Sequence, residues 1–181
     1  MEYFKKEFYG SGKVITADCS SLAPALYTSD KSYIVPPITD SGYLAKIMDI
    51  CARENIAAIL SLIDPELLFL AENKSSFDDM GVRIIVSGYS AVDTCHDKIK
   101  MHGFLDRHGF DNIKIYDDIS RFFNANKDGI ISFPVFIKER FGSASSGALK
   151  IKSMESLKAA FNEVLLGLLC IKLTLFLFFD K

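Results

Sequence analysis

The sequence has no excess of charge of one sign. Among 181 residues, 21 are Lys or Arg and 23 are Asp or Glu, a formal net charge of −2. The two signs are mixed along the chain, and no basic stripe asks for nucleic acid. Cysteine is sparse and scattered, at Cys19, Cys51, Cys95 and Cys170. No two of them stand at metal-finger spacing. Wide scatter with no secretory signal predicts reduced thiols and a cytoplasmic location, each thiol serving as a small buried hydrophobe. The start, MEYFKKEFYGSG, lacks the apolar core of a signal peptide. His96, His102 and His108 fall on neither a shared helix face nor a ligand pair, and they read as incidental. What is present is an ordinary globular composition, 49% apolar and 24% charged. The length suits one domain or two small lobes.

The stretch richest in chemistry is FPVFIKERFGSASSGALKIK, residues 133–152. Phe133, Val135 and Ile137 alternate with Pro134, Phe136 and Lys138, as in a strand. Gly142, Ser143, Ala144, Ser145, Ser146 and Gly147 follow as a small-residue loop. Leu149 and Ile151 then alternate with Lys150 and Lys152, a second strand with both lysines on one face. Two strands joined by Gly and Ser predict a hairpin. Glycines let backbone N–H groups come close to a phosphate, and Lys138 stands at the strand end beside them. This is not a Walker A loop: no Gly-Lys-Ser/Thr follows and no helix opens there. A plain flexible hairpin fits the same residues.

Upstream, residues 13–88 read as an open α/β half-domain. Met1 to Phe8 form an amphipathic helix stopped by Gly10 and Gly12. Lys13 to Asp18 read as a strand, Leu22 to Thr28 as a short turn or helix, and Ser32 to Val35 as a strand closed by Pro36-Pro37. A chain that enters such a sheet from a helix implies that a first strand and its loop are missing. Asp40 is expected to cap a helix running to about Glu54, with Tyr43, Leu44, Ile47, Met48 and Cys51 inward. Ile56 to Leu62 form a continuous apolar strand, which predicts a parallel sheet covered on both faces. Asp64-Pro65 open one helix through Met80, and Val82 to Val86 form the next strand. Asp18, Asp64 and Glu66 lie near carboxyl ends of strands, where ligands gather in such sheets. Capping and dipole complementation account equally for Asp64 and Glu66.

Asp97 caps a helix from Lys98 to about His108. Ile113 to Tyr116 read as a strand, and Asp117 to Asn126 as a helix with Ile119, Phe122 and Phe123 inward. Ser153 caps a helix from Met154 to about Val164. The end, VLLGLLCIKLTLFLFF over 164–179, is apolar apart from Gly167, Lys172 and Thr174. It is short for a membrane span. A last strand of the hairpin sheet over Cys170 to Phe178 is one reading. The preferred one is an atypical tail produced by truncation or a frame change, through which the chain can self-associate.

The run Phe133 to Gly147, a strand ending in Lys138 and then a Gly/Ser loop, resembles the phosphate-covering loop of ATP-grasp enzymes. It looks most like the branch of the carbamoyl phosphate synthase large subunit, with Glu139 where proline is usual and Ala144 where glycine is usual. Asp18, Pro24-Ala25, Ser29-Asp30, Val35-Pro36, Asp40, Tyr43 and Ile63-Asp64-Pro65-Glu66-Leu67 follow the order of that family's N-terminal motifs. The resemblance implies an open parallel Rossmann-like pre-ATP-grasp sheet over 1–95, then a partial α+β nucleotide-binding subdomain over 96–163, then the tail over 164–181. It implies ATP phosphates held by Lys98, Lys138, Gly142, Ser143, Ala144, Ser145, Ser146 and Gly147. Asp64 and Glu66 would face the acceptor, a small carboxylate or carbonate-like substrate. Magnesium would accompany ATP, but its usual Glu and Asn ligands do not occur in the sequence. The expectation is a ligase fragment inactive by itself; the alternative is a non-catalytic nucleotide- or partner-binding protein.

Overall fold

The computed structural model describes residues 2–8, 10–110, 114–142, 148–165 and 173–176. The chain divides into two compact units, Met1–Val86 and Ser87–Lys181.

The first unit opens with helix α1 (Glu2–Glu7) and strand β1 (Ile15–Asp18). A single 3-10 turn over Pro24–Tyr27 leads to β2 (Lys31–Ile34). Helix α2 (Tyr43–Glu54), strand β3 (Ala58–Ile59), helices α3 (Asp64–Glu72) and α4 (Lys74–Asp78), and β4 (Arg83–Ile84) complete it. The α2 side chains Tyr43, Ile47, Ile50 and Cys51 are buried, the spacing of one helix face. They pack with Leu70, Phe77 and Ile84 in one core cluster. Asn55 ends α2 at φ 52°, a left-handed residue closing the helix.

The order of elements follows the sequence pattern, but several details differ. Asp40 does not cap α2. Its Oδ1 accepts from the Gly42 amide at 2.7 Å and its carbonyl from Tyr43, an Asx turn ahead of the helix. The helix expected over 64–80 breaks at Asn73, whose Nδ2 donates to the Phe69 carbonyl at 2.8 Å. The four strands form two separate parallel pairs, β1–β2 and β3–β4. Burial on both faces is incomplete: Ile34 of β2 is 54% exposed, and Leu60 and Ile85, just past β3 and β4, are 46% and 52% exposed. Cys19 and Cys95 are exposed, and among the described cysteines only Cys51 is buried.

The second unit begins with a helix that the sequence pattern did not show, α5 (Tyr89–His96). It continues through α6 (Lys98–Arg107), β5 (Ile115–Tyr116), α7 (Ile119–Lys127), β6 (Val135–Glu139), β7 (Leu149–Ile151), α8 (Met154–Leu165) and β8 (Leu173–Phe176). Strands β6 and β7 form the expected antiparallel hairpin, with Val135 opposite Ile151 and Ile137 opposite Leu149. The sheet order is β5-β8-β6-β7. Four residues of the apolar end therefore pair as a strand with β5 and β6. This is the last-strand reading of that segment, and self-association through it finds no support. Among the described residues, no helix is long and apolar enough to cross a membrane.

Val135 and Ile137 turn one face of the hairpin toward Phe122 of α7 and Leu157 of α8. Phe122 is fully buried, whereas Phe123, expected inward, is 37% exposed. Asp118 caps α7 through the Ser120 and Arg121 amides. Ser153 and Ser156 exchange amide-to-hydroxyl bonds at the start of α8, a reciprocal cap.

Candidate functional site

The second unit carries a buried charge. Asp97, at the N-cap of α6, is 1% exposed. A carboxylate removed from water costs several kcal/mol, on the order of 5, unless it is paired and hydrogen-bonded. Here its Oδ1 accepts from the Ile99 amide at 2.9 Å and the Lys100 amide at 3.4 Å. The Arg140 guanidinium closes on it as a fork, Nε to Oδ1 at 2.9 Å and Nη2 to Oδ2 at 2.6 Å. Burial pushes the Asp97 carboxyl up. The Arg140 bonds and the two amides outweigh it and hold the group below the usual carboxylate value. Arg140 is raised in turn, first by its bond to Asp97.

The next residue uses this anchor. Lys98 Nζ donates to the Gly142 carbonyl at 2.8 Å and to the Arg140 carbonyl at 3.3 Å. The Lys98 amide also reaches the Arg140 carbonyl, at 3.4 Å. Two candidates far apart in sequence, Lys98 and Gly142, are thus in contact. Gly142 has φ 145°, where side chains are rarely found, and an added Cβ would stand 3.1 Å from Glu139 Oε2. Lys138 lies in β6 between the buried Ile137 and Glu139. The period of two puts it with Phe136 on the face opposite Val135 and Ile137. Lys150 shares that face, its Nζ 5.7 Å from the centre of the Phe136 ring. Ser143, Ala144, Ser145, Ser146 and Gly147 lie outside the described residues.

Phe141 precedes Gly142 and has two ring contacts. His96, at the end of α5, stacks on it with ring centres 5.4 Å apart, and Arg140 Cζ lies 5.4 Å from its centre. His96 is therefore part of the packing at the loop entrance rather than incidental.

The first unit holds the other two candidates apart in character. Asp64 is exposed and occupies the first turn of α3; Ile63, not Asp64, is the N-cap. Glu66 is half-buried and committed: one oxygen accepts from the Tyr43 hydroxyl and the other from the Ser61 hydroxyl. Ser61 also accepts from the Ile63 amide at 3.2 Å. Burial first, and then the bond to Glu66, push the Tyr43 hydroxyl well above its ordinary pKa. Neither Tyr43 and Ser61 as partners of Glu66 nor Arg140 as partner of Asp97 was named from sequence. Arg140 had one signal, a cation two positions beyond Lys138 on an alternating strand.

What the second unit brings together is an ammonium at a backbone turn opened by glycine, a lysine on the adjoining strand, and an internally neutralised ion pair. Among the described residues no three His, Cys, Asp or Glu side chains converge on a point.

Residues 1–85 match the family described as PylC-like, N-terminal domain. No curated protein matches the sequence. Solved structures do match the fold. The biotin carboxylase domain of 2-oxoglutarate carboxylase from Hydrogenobacter thermophilus, in complex with MgADP, ADP and bicarbonate, is 20% identical. The match covers 92% of this chain and 38% of that one, with a TM-score of 0.61. Biotin carboxylase from Campylobacter jejuni, in a β-γ-ATP complex, is 16% identical over 99% of this chain and 42% of that one, TM-score 0.67. L-amino acid ligase from Bacillus licheniformis is 14% identical over 98% and 41%, TM-score 0.67. The chain thus spans about two fifths of the length of these proteins. Residues 1–85 thus match a PylC-like N-terminal domain, and the chain is similar in its α/β fold to the N-terminal part of ATP-grasp enzymes.

Proposed function

We propose that this chain is the ATP-binding portion of an ATP-grasp ligase. Its second unit takes the polyphosphate of ATP between Lys98, Lys138 and the segment Gly142–Gly147. The observation that carries the reading is the contact of Lys98 Nζ with the Gly142 carbonyl, which brings a cation to the entrance of the Gly/Ser segment. Phosphate binding is dominated by neutralisation and positioning, and these groups supply both.

The parent reaction in this reading is that of a carboxylate–amine ligase. The γ-phosphoryl group passes from ATP to a carboxylate or carbonate-like oxygen, giving ADP and an acyl phosphate. An amine then attacks the acyl carbon and releases phosphate. Two of the similar structures contain ADP or an ATP analogue, and one contains bicarbonate, which supports this substrate class. A closer relation to the carbamoyl phosphate synthase large subunit rests on the order of motifs in residues 13–152. Asp64 is the acceptor-side group with an exposed carboxylate, while Glu66 orders its surroundings through Tyr43 and Ser61. The 181 residues alone are proposed not to ligate. The support is sequence: the Glu and Asn residues that hold magnesium in this family do not occur in it.

Titration of the purified chain with ATP, monitored by calorimetry, tests the reading. Saturable binding that is weakened by Lys98→Ala supports it. Absence of binding, or equal binding by the variant, defeats it. Turnover of ATP by the chain with any amine and carboxylate pair would overturn the statement that it is inactive alone.

A further inference from the structure

We infer that Arg140 is the positioning residue of the phosphate site, resting on the nucleotide reading above. Its forked ion pair with the buried Asp97 fixes the start of α6 against the end of β6, and so delivers the Lys98 ammonium to the loop entrance at Gly142.

Three observations point the same way. A lysine stem has four rotatable bonds, so its ammonium is not placed by its own side chain. Here the placement comes from the backbone: the Lys98 amide and ammonium both address the Arg140 carbonyl. Next, Arg140 Nε and Nη2 are both committed to Asp97, so the guanidinium is used inside the protein. Last, a buried carboxylate adjacent to a phosphate site would repel the ligand if left bare. Arg140 cancels that charge. The fork is what a planar guanidinium provides and an ammonium cannot. Phe141, in contact with both His96 and the Arg140 guanidinium, stiffens the same stretch of backbone.

The test uses the full 181-residue chain and inorganic tripolyphosphate as the probe, with calorimetric Kd and melting temperature measured together. Arg140→Lys keeps the charge and removes the fork. If Arg140 acts through Lys98, R140K and K98A each raise Kd about tenfold, the scale of one lost charged hydrogen bond. The double variant is then no weaker than K98A alone, because the two residues work as one unit. Additive losses would mean that Arg140 acts independently, and would overturn the inference. So would a lowered melting temperature with an unchanged Kd, the signature of a purely structural ion pair. Arg140→Gln, which keeps a planar donor without the charge, takes the place of R140K if the latter does not fold. A wild-type chain that binds neither tripolyphosphate nor ATP defeats the nucleotide reading itself and this inference with it. Wild-type binding that K98A weakens and R140K leaves untouched defeats the inference alone.

Discussion

The Tyr43 hydroxyl donates to the Glu66 carboxylate, tying the first turn of α2 to the first turn of α3. Ser61, two residues beyond β3, completes the pair on the other carboxylate oxygen. Two helix starts and the link from β3 to α3 are held by one acid. This is a physical reason for a glutamate at this point that requires no ligand.

Tyr43→Phe removes one of the two hydroxyls and leaves a carboxylate oxygen of Glu66 short of a donor. The expected loss is about 1–2 kcal/mol, read as a lower denaturant midpoint with an unchanged slope. Glu66→Gln, which can still accept from one hydroxyl, should cost less than Glu66→Ala. Equal losses for all three would show that packing, not the hydrogen bonds, holds this corner.

Asp97 gives the second unit a dependence on acid. Its carboxyl is held below the usual value when folded, so the folded state binds its proton less readily than the unfolded state. The resulting stability is fully present above the unfolded carboxylate value of about 3.9. It is lost as the pH falls from there through the lower folded value. Asp97→Asn should lower stability at neutral pH and flatten the acid limb of a melting-temperature profile between about pH 5 and pH 2. An acid limb that is the same in the variant would assign the dependence to other carboxylates.

Lys98→Ala should weaken ATP binding about 10- to 100-fold, the range for a charged hydrogen bond lost from a binding site. The wild-type affinity should also fall with added salt, since cations at a partly exposed phosphate site are screened. An affinity indifferent to salt would speak against polyphosphate as the recognised group.

Phe77 and Phe122 are both fully buried, one in each unit. Truncating either to alanine should cost about 3–5 kcal/mol. Hydrogen exchange should show Phe77→Ala loosening α2 and β4, and Phe122→Ala loosening α7 and the β6–β7 hairpin. Loss of protection spread evenly over all elements in both variants would contradict two separate cores.

The sequence by itself determined the local structure. Period-two alternation over 135–139 and 149–151 marked the hairpin, and helical spacing of Tyr43, Ile47 and Cys51 marked α2. Asp97 and Ser153 were caps because short polar side chains satisfy the free amides of a helix start. These are effects among residues a few positions apart, which one line of sequence displays. The order of motifs also pointed to the ATP-grasp fold. Tertiary structure decided everything that joins distant residues. It paired Asp97 with Arg140 and Tyr43 with Glu66, split the four N-terminal strands into two parallel pairs, and gave Leu173–Phe176 a place between β5 and β6. Charges and hydroxyls carry no periodic signal of their partners, and an apolar run does not state which strand edge it will join. Only the packing of both cores fixes which side chains meet, and so which acids are free to face a ligand and which are already bound.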